Sequence, residues 1–187
     1  MNFITKLLLL CLPIAIISAS KSPSAKELEI LRKEALKYHN LYRAKHQKTG
    51  KLKLNSLLNK FAQSHCDYLA YKGSLIHTTP NERMNIPYLK GYIGENLYLS
   101  TIRSFKNSGK AATETWYNEI KGYDFGKGGA KGDQTIEHFT QLVWDESRQV
   151  GFGFSSSPLG TFVCANYYKG VNVNGPANYK KHVKPLK

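Results

Sequence analysis

Two apolar segments on either side of a short turn constrain the fold of this chain more than any other feature. Residues 149–156 read QVGFGFSS and residues 160–168 read GTFVCANYY, and a proline and a glycine mark the turn between them. Runs that are rich in aromatic and β-branched residues and bounded by turn residues are typical of strands. The pattern therefore predicts a hairpin of two central strands and, with it, a small antiparallel sheet.

Four helical segments accompany this hairpin. Ser24 followed by Glu27 forms a capping box that opens the first helix, and Gly73 ends the second. Apolar residues recur at helical spacing in the first, second and fourth segments, and His138 lies beside the apolar stripe of the fourth. The four helices are predicted at residues 24–46, 56–73, 110–120 and 135–147.

The connections between these elements are less regular. Residues 75–92 contain two prolines and are predicted to be a loop, and residues 95–100 a short strand. The glycine-rich residues 122–133 are predicted to be a mobile connection; they lack the GK[ST] ending of a phosphate loop. The tail from Val171 is predicted to be irregular. Without repeats or linkers, the chain is predicted to form one domain that mixes helices with the sheet.

The first 20 residues have the pattern of a secretory signal peptide. Lys6 precedes a short apolar run, and small residues end at Ser20, after which cleavage is expected. A membrane anchor is the weaker interpretation because the run is short for a bilayer. No second apolar stretch reaches membrane length, so residues 21–187 are predicted to be a secreted, extracellular, soluble domain.

Cleavage would leave two cysteines, Cys66 and Cys164. A secreted protein permits a disulfide between them, and two buried free thiols are the alternative. Since one bridge at most can form, the apolar core must stabilise the fold. No Cys-x-x-Cys pair or paired Cys/His spacing indicates a structural zinc site.

The chain is strongly basic, with 27 Lys and Arg against 13 Asp and Glu. Positive charge favours anionic partners such as phospholipid head groups and acidic glycans. Nucleic acid is the poorest candidate, because the lysines are dispersed and no arginine stripe is interleaved with aromatic residues. A basic tail either contacts an anionic membrane surface or is simply solvated; its lysines are Lys180, Lys181, Lys184 and Lys187.

Four segments, in order and at fitting spacing, carry a resemblance to a known family. They are HNLYR (39–43), GENLY (94–98), EHFTQLVWDES (137–147) and FVCANYYKGVN (162–172). From about residue 30 onward the chain resembles the CAP superfamily of cysteine-rich secretory proteins, antigen-five allergens and plant pathogenesis-related proteins. The resemblance implies an α+β fold, a three-layer α-β-α sandwich around a small central antiparallel sheet.

The resemblance also implies a cleft with two histidines and two carboxylates. Matched residue by residue, these are His77, Glu95, Glu119 and His138. Such a set fits Zn²⁺ or another divalent cation. Without metal, a carboxylate could orient an imidazole as a general base, or the four side chains could merely satisfy one another by hydrogen bonds. His39 is expected to bond the first helix to the sheet, whereas His46 and His182 are expected to be ordinary surface or helix residues.

Members of this family are best known for binding sterols, fatty acids or anionic phospholipids. The matching loop reads YDFGKGGA and provides Tyr123 and Phe125 as weak lipid-binding candidates, with Ala130 where a third aromatic residue is expected. Alternatively, both rings cover the base of their own loop. The second signature also departs from the family, because many members have cysteine at the position of Ala165. Cys164, one place earlier, should point to the other face of the sheet.

The sequence thus predicts a secreted protein that binds a lipid or sterol-like ligand and a divalent metal, with a role in defence, signalling or as an effector. One alternative is a hydrolase, a protease or esterase, that uses His77 and His138. The other is an extracellular receptor ligand whose cleft is a vestige.

Overall fold

A central sheet and the helices around it make up the part of the chain that the computed structural model describes, residues 20–170 and 172–187. The helices are α1 (Ala25–Arg43), α2 (Ser56–Lys72), α3 (Pro80–Met84), α4 (Ser108–Asn118), α5 (Glu137–Val143) and α6 (Pro176–His182), and a short 3-10 helix spans Glu119–Gly122. The strands are β1 (Lys53–Leu54), β2 (Gly94–Ser100), β3 (Tyr123–Asp124), β4 (Gly129–Ala130), β5 (Gln149–Ser157) and β6 (Gly160–Tyr168).

The main sheet has the strand order β1-β5-β6-β2. The predicted hairpin of β5 and β6 is confirmed, with Phe152 opposite Ala165. Strand β2 pairs antiparallel with β6, which places Glu95 opposite Asn166, and the two-residue β1 adds a parallel pair with β5. Because β2 ends the strand order, its outer edge faces loops and helices and not another strand.

Helices cover both faces of this sheet. Helix α2 lies close against one face because β5 has glycines there: a Cβ on Gly153 would lie 2.2 Å from the carbonyl oxygen of Ala62. On the opposite face Phe152 packs in a core with Trp116 of α4 and Phe139 of α5. The three-layer α-β-α sandwich is therefore confirmed.

Local sequence signals explain where the long helices begin and end. The capping box of Ser24 and Glu27 is present, with the Glu27 backbone N–H donating to the Ser24 hydroxyl. Asn55 caps α2 through the backbone N–H groups of Leu57 and Leu58, and Gly73 ends it in the left-handed conformation, at φ 69°. The start of α1 and the end of α2 were predicted from the capping box and from Gly73, whereas the Asn55 cap was not identified.

Two predicted irregular segments contain helices, so these predictions were wrong. Residues 75–92 include α3, which has its own capping box of Thr79 and Glu82, the same signal that opens α1. The tail includes α6, which begins with Pro176 after Gly175 at φ 120°. Both helices are short, so hydrophobic periodicity could not reveal them.

The glycine-rich connection forms a small hairpin of β3 and β4. The Asp124 carboxylate accepts hydrogen bonds from the backbone N–H groups of Gly126 and Lys127 and so closes the turn. Gly128 has φ 73°, and a Cβ there would lie 2.6 Å from the carbonyl oxygen of Pro176. Glycine at this position therefore lets the hairpin pack against α6.

Arg43, the last residue of α1, is a buried cation whose partners are backbone carbonyls. Its guanidinium donates hydrogen bonds of 2.8–3.0 Å to the carbonyl oxygens of Gly50, Leu142, Trp144 and Ser147. Burial lowers the pKa of Arg43 to about 10, so the group remains charged at neutral pH. One side chain thus joins α1 to the end of α5 and to the turn before β5.

Three histidines outside the predicted cleft are buried. His39 bonds to the Tyr167 hydroxyl of β6 at 2.9 Å, so the prediction that it joins the first helix to the sheet is confirmed. The surface assignment of His46 and His182 was wrong. His46 contacts the Lys184 carbonyl and the Tyr117 hydroxyl, while His182 bonds to the Asp145 carboxylate at 2.8 Å, so both fasten the C-terminal segment.

Cys66 on α2 and Cys164 on β6 are free thiols, both fully buried in one apolar cluster with Leu69 and Phe162. Cys164 therefore faces α2, whereas Ala165 belongs to the core on the opposite face, as strand alternation predicted. Burial raises the pKa of the Cys164 thiol, and the nearby Cys66 raises it further.

Most of the predicted signal peptide, residues 1–19, lies outside the described residues. Across residues 20–170 and 172–187, none of the helices combines the length and the apolar character needed to cross a bilayer.

Replacing Arg43 with methionine should lower the free energy of unfolding by about 3–5 kcal/mol, because buried carbonyls then lose their donors. Urea unfolding monitored by circular dichroism measures the change. Lys37→Met, an exposed change on the same helix, should shift stability by less than about 0.5 kcal/mol. Equal effects of the two substitutions would contradict the role of Arg43.

The thiols of Cys66 and Cys164 should not react with a maleimide at neutral pH in the folded protein, because both are buried and, at Cys164, a raised pKa also suppresses the thiolate. Both should react once the protein is unfolded in urea. Intact mass before and after unfolding counts the labels. No labelling in urea, with labelling restored by a reductant, would show a disulfide instead.

Candidate functional site

The first half of the site is a hydrogen-bonded pair of His77 and Glu95. The His77 Nδ1 lies 2.8 Å from Glu95 Oε1, and the Glu95 side chain is 1% exposed. Glu95 also accepts bonds from the backbone N–H and the hydroxyl of Thr78 and from the Asn166 amide. Arg83 lies at 3.4 Å as a longer ionic partner. The Glu95 carboxylate is thus held between Thr78, in residues 75–92, and Asn166 on β6, and it orients the His77 ring.

The Glu95 carboxyl is a strong acid in this setting. Burial alone would raise its pKa, but the hydrogen bonds from His77, Thr78 and Asn166 outweigh burial and lower it to about 2. Glu95 is therefore ionised at any pH near neutral, and it can accept a hydrogen bond from His77 without competing for its proton.

The second half of the site is the pair of His138 and Glu119. The His138 Nδ1 lies 2.6 Å from Glu119 Oε1, and the other carboxylate oxygen accepts the backbone N–H of Phe139. Glu119 thus binds the first turn of α5, where unpaired N–H groups favour an anion. The His138 ring lies parallel to Trp116, with 6.3 Å between ring centroids. The buried indole and the carboxylate together fix the imidazole.

Both pairs border one pocket beside the free edge of β2. This cleft has a volume of about 390 Å³ and is lined by His77, Glu95 and His138 from the predicted set, whereas Glu119 is not part of its lining. Sequence reasoning therefore named two histidines and two glutamates that the fold joins as two His–Glu pairs at one cleft. It could not assign which carboxylate belongs to which imidazole.

The free ring nitrogens are the groups through which this cleft could hold a cation. In the described part of the chain, the Nε2 atoms of His77 and His138 have no hydrogen-bond partner, while both Nδ1 atoms face a carboxylate. This carboxylate–histidine arrangement is common behind zinc-binding imidazoles. No group of three or more His, Cys, Asp or Glu side chains within residues 20–170 and 172–187 is arranged to hold a metal. A cation in this cleft would therefore depend on two imidazoles for its protein ligands, with water completing its coordination.

Tyr123 and Phe125, the lipid-binding candidates, have their rings packed inward. Tyr123 is 2% exposed, and its ring contacts Phe125 at 4.8 Å and Phe139 at 5.5 Å between centroids. The two rings therefore cover the base of their own loop, which was the alternative interpretation. Their role in lipid binding stays a prediction.

Sequence reasoning missed several residues that support the site. Asn166 lies opposite Glu95 in the sheet, so the strand register could have identified it. Asn96 donates to the carbonyl of His138 and to the Tyr167 hydroxyl, and so it joins α5 to β2 and β6. Arg83 carried no signal in the sequence, because it reaches Glu95 only through the position of α3.

Comparison with known proteins agrees with this fold. The family model described as "Cysteine-rich secretory protein family" (CAP) matches residues 36–168. The human Golgi-associated plant pathogenesis-related protein 1 is 36% identical over 155 residues, which are 82% of this chain and 92% of the human one. Protein PRY2 of Saccharomyces cerevisiae is 32% identical over 150 residues, which cover 79% of this chain but only 39% of PRY2.

A solved structure shares the architecture at lower sequence identity. Venom allergen-like protein 4 of Schistosoma mansoni (SmVAL4) superposes with a TM-score of 0.63 and 22% identity, covering 78% of this chain and 92% of SmVAL4. The chain therefore belongs to the CAP family of cysteine-rich secretory and pathogenesis-related proteins.

Replacing Glu95 with glutamine should remove a pH-dependent contribution to the free energy of unfolding. Because its pKa is about 2 in the folded protein and near 4.5 when unfolded, ionised Glu95 stabilises the fold above pH ~4.5, and this contribution disappears as the pH falls toward ~2. Urea unfolding in chelator-treated buffer should show Glu95→Gln less stable by about 3 kcal/mol at pH ~6, with a smaller difference at pH ~3.

Glu114→Gln is the matched control, since Glu114 is only half-buried on α4. It should change stability by less than about 0.5 kcal/mol at either pH. A difference between wild type and Glu95→Gln that stays the same at both pH values would show that the Glu95 charge does not stabilise the fold.

Proposed function

We propose that this CAP protein is an extracellular binding protein that holds a divalent cation, Zn²⁺ in the first instance, between His77 and His138. We propose further that it binds a lipid or sterol-like molecule next to that site. Its role in defence, signalling or as an effector would then depend on ligand binding and not on turnover.

One observation supports the metal part of the proposal: both Nδ1 atoms are hydrogen-bonded to a carboxylate, both rings line the same cleft, and no described residue bonds to either Nε2. Glu95 and Glu119 would act as positioning residues that orient the rings. A bound cation would supply positive charge for an anionic or carbonyl oxygen of a ligand. Neutral imidazole is the form that binds metal.

A neighbouring pocket supports the lipid part. It lies between α2 and residues 76–82, has a volume of about 420 Å³, and is walled by the apolar side chains of Phe61, Tyr68 and Ile76. His77 and Thr78 line this pocket as well as the cleft, so the two are contiguous. Mostly apolar pockets with a few convergent polar groups are typical of small-molecule sites. An acyl chain or sterol ring there would have its polar end near His77.

The predicted signal peptide at residues 1–20 supports the extracellular location. The positive charge of the chain favours a ligand or surface that carries negative charge.

Zinc titration of chelator-treated protein, followed by calorimetry and native mass spectrometry, tests the metal proposal. The wild type should bind one Zn²⁺, and His77→Ala and His138→Ala should each abolish detectable binding. Glu119→Gln should weaken binding by about 10–100-fold, because an unoriented ring is a poorer ligand. His65→Ala is the matched control, since His65 lines the adjoining pocket but not the cleft, and its ring bonds to the Ile76 carbonyl and stacks on Tyr68. Unchanged binding in His138→Ala would refute the site.

Organic extraction of the secreted protein, with mass spectrometry of the extract, tests the lipid proposal. A co-purifying lipid, or saturable transfer of labelled palmitate or cholesterol between vesicles, is expected. Ile76→Asp should abolish it, because the substitution places a charge in the apolar wall, whereas Tyr71→Asp, exposed and outside the pocket, should not. No recovered lipid and no transfer would refute this part and leave the metal part standing.

A further inference from the structure

A second polar pocket lies at the end of β6, apart from the His–Glu cleft. It has a volume of about 410 Å³, and its walls come from residues 90–92, 144–146 and 168–170 and from α6. It shares no lining residue with the cleft. None of its lining residues belongs to the proposed metal or lipid site, so any function of this pocket requires a separate ligand.

Two lysine side chains without an ion-pair partner among the described residues line this pocket. Lys90 and Lys169 are both exposed and line it, and within the described ranges neither forms an ion pair. Glu146 is the carboxylate in the lining, and it lies 3.8 Å from the Nδ1 of His182. The free positive charge therefore favours an anionic group on the ligand, since a charge-assisted bond is stronger than a neutral one.

Aromatic rings form the walls between these charges. Tyr92 is 65% exposed although it is a large ring, and Tyr168 is half-buried with its hydroxyl donating to the Lys90 carbonyl. The buried Trp144 ring stacks on His182 with 4.5 Å between centroids. Exposed tyrosines of this kind are typical of recognition surfaces, because each offers an apolar face and a polar edge.

Trp144 also provides an unused hydrogen-bond donor. Its indole N–H is buried and has no partner in the part of the chain that the structure describes. The missing side chain of Gly170 leaves space beside it, since a Cβ there would lie 3.0 Å from the indole nitrogen. A buried donor without a partner is costly, so an acceptor from a ligand entering past Gly170 would relieve that cost.

From these groups we infer that this pocket binds an acidic sugar unit of an extracellular glycan, one that carries a sulfate group. Lys90 and Lys169 would contact the acidic substituent, and the rings of Tyr92 and Tyr168 would lie against the apolar C–H face of the sugar. Glu146 would accept hydrogen bonds from its hydroxyl groups. A sugar presents these features together: hydroxyl donors and acceptors, an apolar face and a fixed charge.

A membrane surface fits this pocket less well. The site is concave and contains the Glu146 carboxylate, which an anionic surface would repel and a hydrocarbon layer would not solvate. The same carboxylate favours a sugar, because it can accept hydrogen bonds from the sugar's hydroxyl groups.

Calorimetry with a sulfated heparin tetrasaccharide and with its desulfated counterpart, both at about 0.15 M salt, tests the inference. The sulfated form should bind one per chain and the desulfated form much more weakly. The double variant Lys90→Ala/Lys169→Ala should bind at least about tenfold more weakly, the loss expected for a single charge-assisted bond. Tyr92→Ala should lose about five- to tenfold. Trp144→Phe, which keeps a ring but removes the N–H, should also weaken binding by about fivefold.

Two controls separate this site from general electrostatics and from the proposed cleft. Lys26→Ala/Lys51→Ala removes the same charge from exposed positions outside the pocket and should change affinity by less than about twofold. His138→Ala should leave it unchanged. Equal losses in both lysine double variants, equal binding of the desulfated sugar, or binding only to phosphatidylserine vesicles would each overturn the glycan site. Full affinity in Trp144→Phe would overturn the role of the indole N–H.

Discussion

The buried guanidinium of Arg43 is the interaction on which the positions of the other elements depend. A buried charge is tolerated only when every donor has a partner. The partners here are carbonyls at residues 50, 142, 144 and 147, which lie at the ends of separate elements. Satisfying one side chain therefore fixes α1 relative to α5 and to the start of β5. Since His138 lies on α5, the same constraint sets where the cleft imidazole stands.

A second polar network joins α5 to the sheet. His39 contacts the Tyr167 hydroxyl, and Asn96 bonds to the same hydroxyl and to the His138 carbonyl. Burial lowers the pKa of His39 to about 3, so its ring is neutral at physiological pH and acts as a fixed hydrogen-bonding group. His138 has different surroundings: its Nδ1 contacts the Glu119 carboxylate, and no described residue bonds to its Nε2. Burial and partners, and not residue type, distinguish these two histidines, and only His138 is part of the proposed cation site.

The candidate sites lie on different parts of the same scaffold. The cleft forms where loops and helices converge beside the free edge of β2, while the second pocket forms beyond the end of β6. Asn172 and Asn174 line the first and Val173 lines the second, so neighbouring residues of one segment serve both. Because this second pocket shares no lining residue with the cleft or with the proposed lipid pocket, a cation, a lipid and an anionic sugar could bind at the same time.

The sequence by itself determined the hairpin, the start of α1, the end of α2 and the family, and it named the two histidines and two carboxylates that form the His–Glu pairs, because strand composition, capping residues and short motifs act locally. It did not determine the pairing of His77 with Glu95 and of His138 with Glu119, or the burial of His46 and His182. It also left open whether Tyr123 faces the core or a ligand. Those features depend on groups that are distant in the chain, such as His46 and Lys184. Only the packing of the layers brings such groups within hydrogen-bond range, and no local pattern encodes that packing.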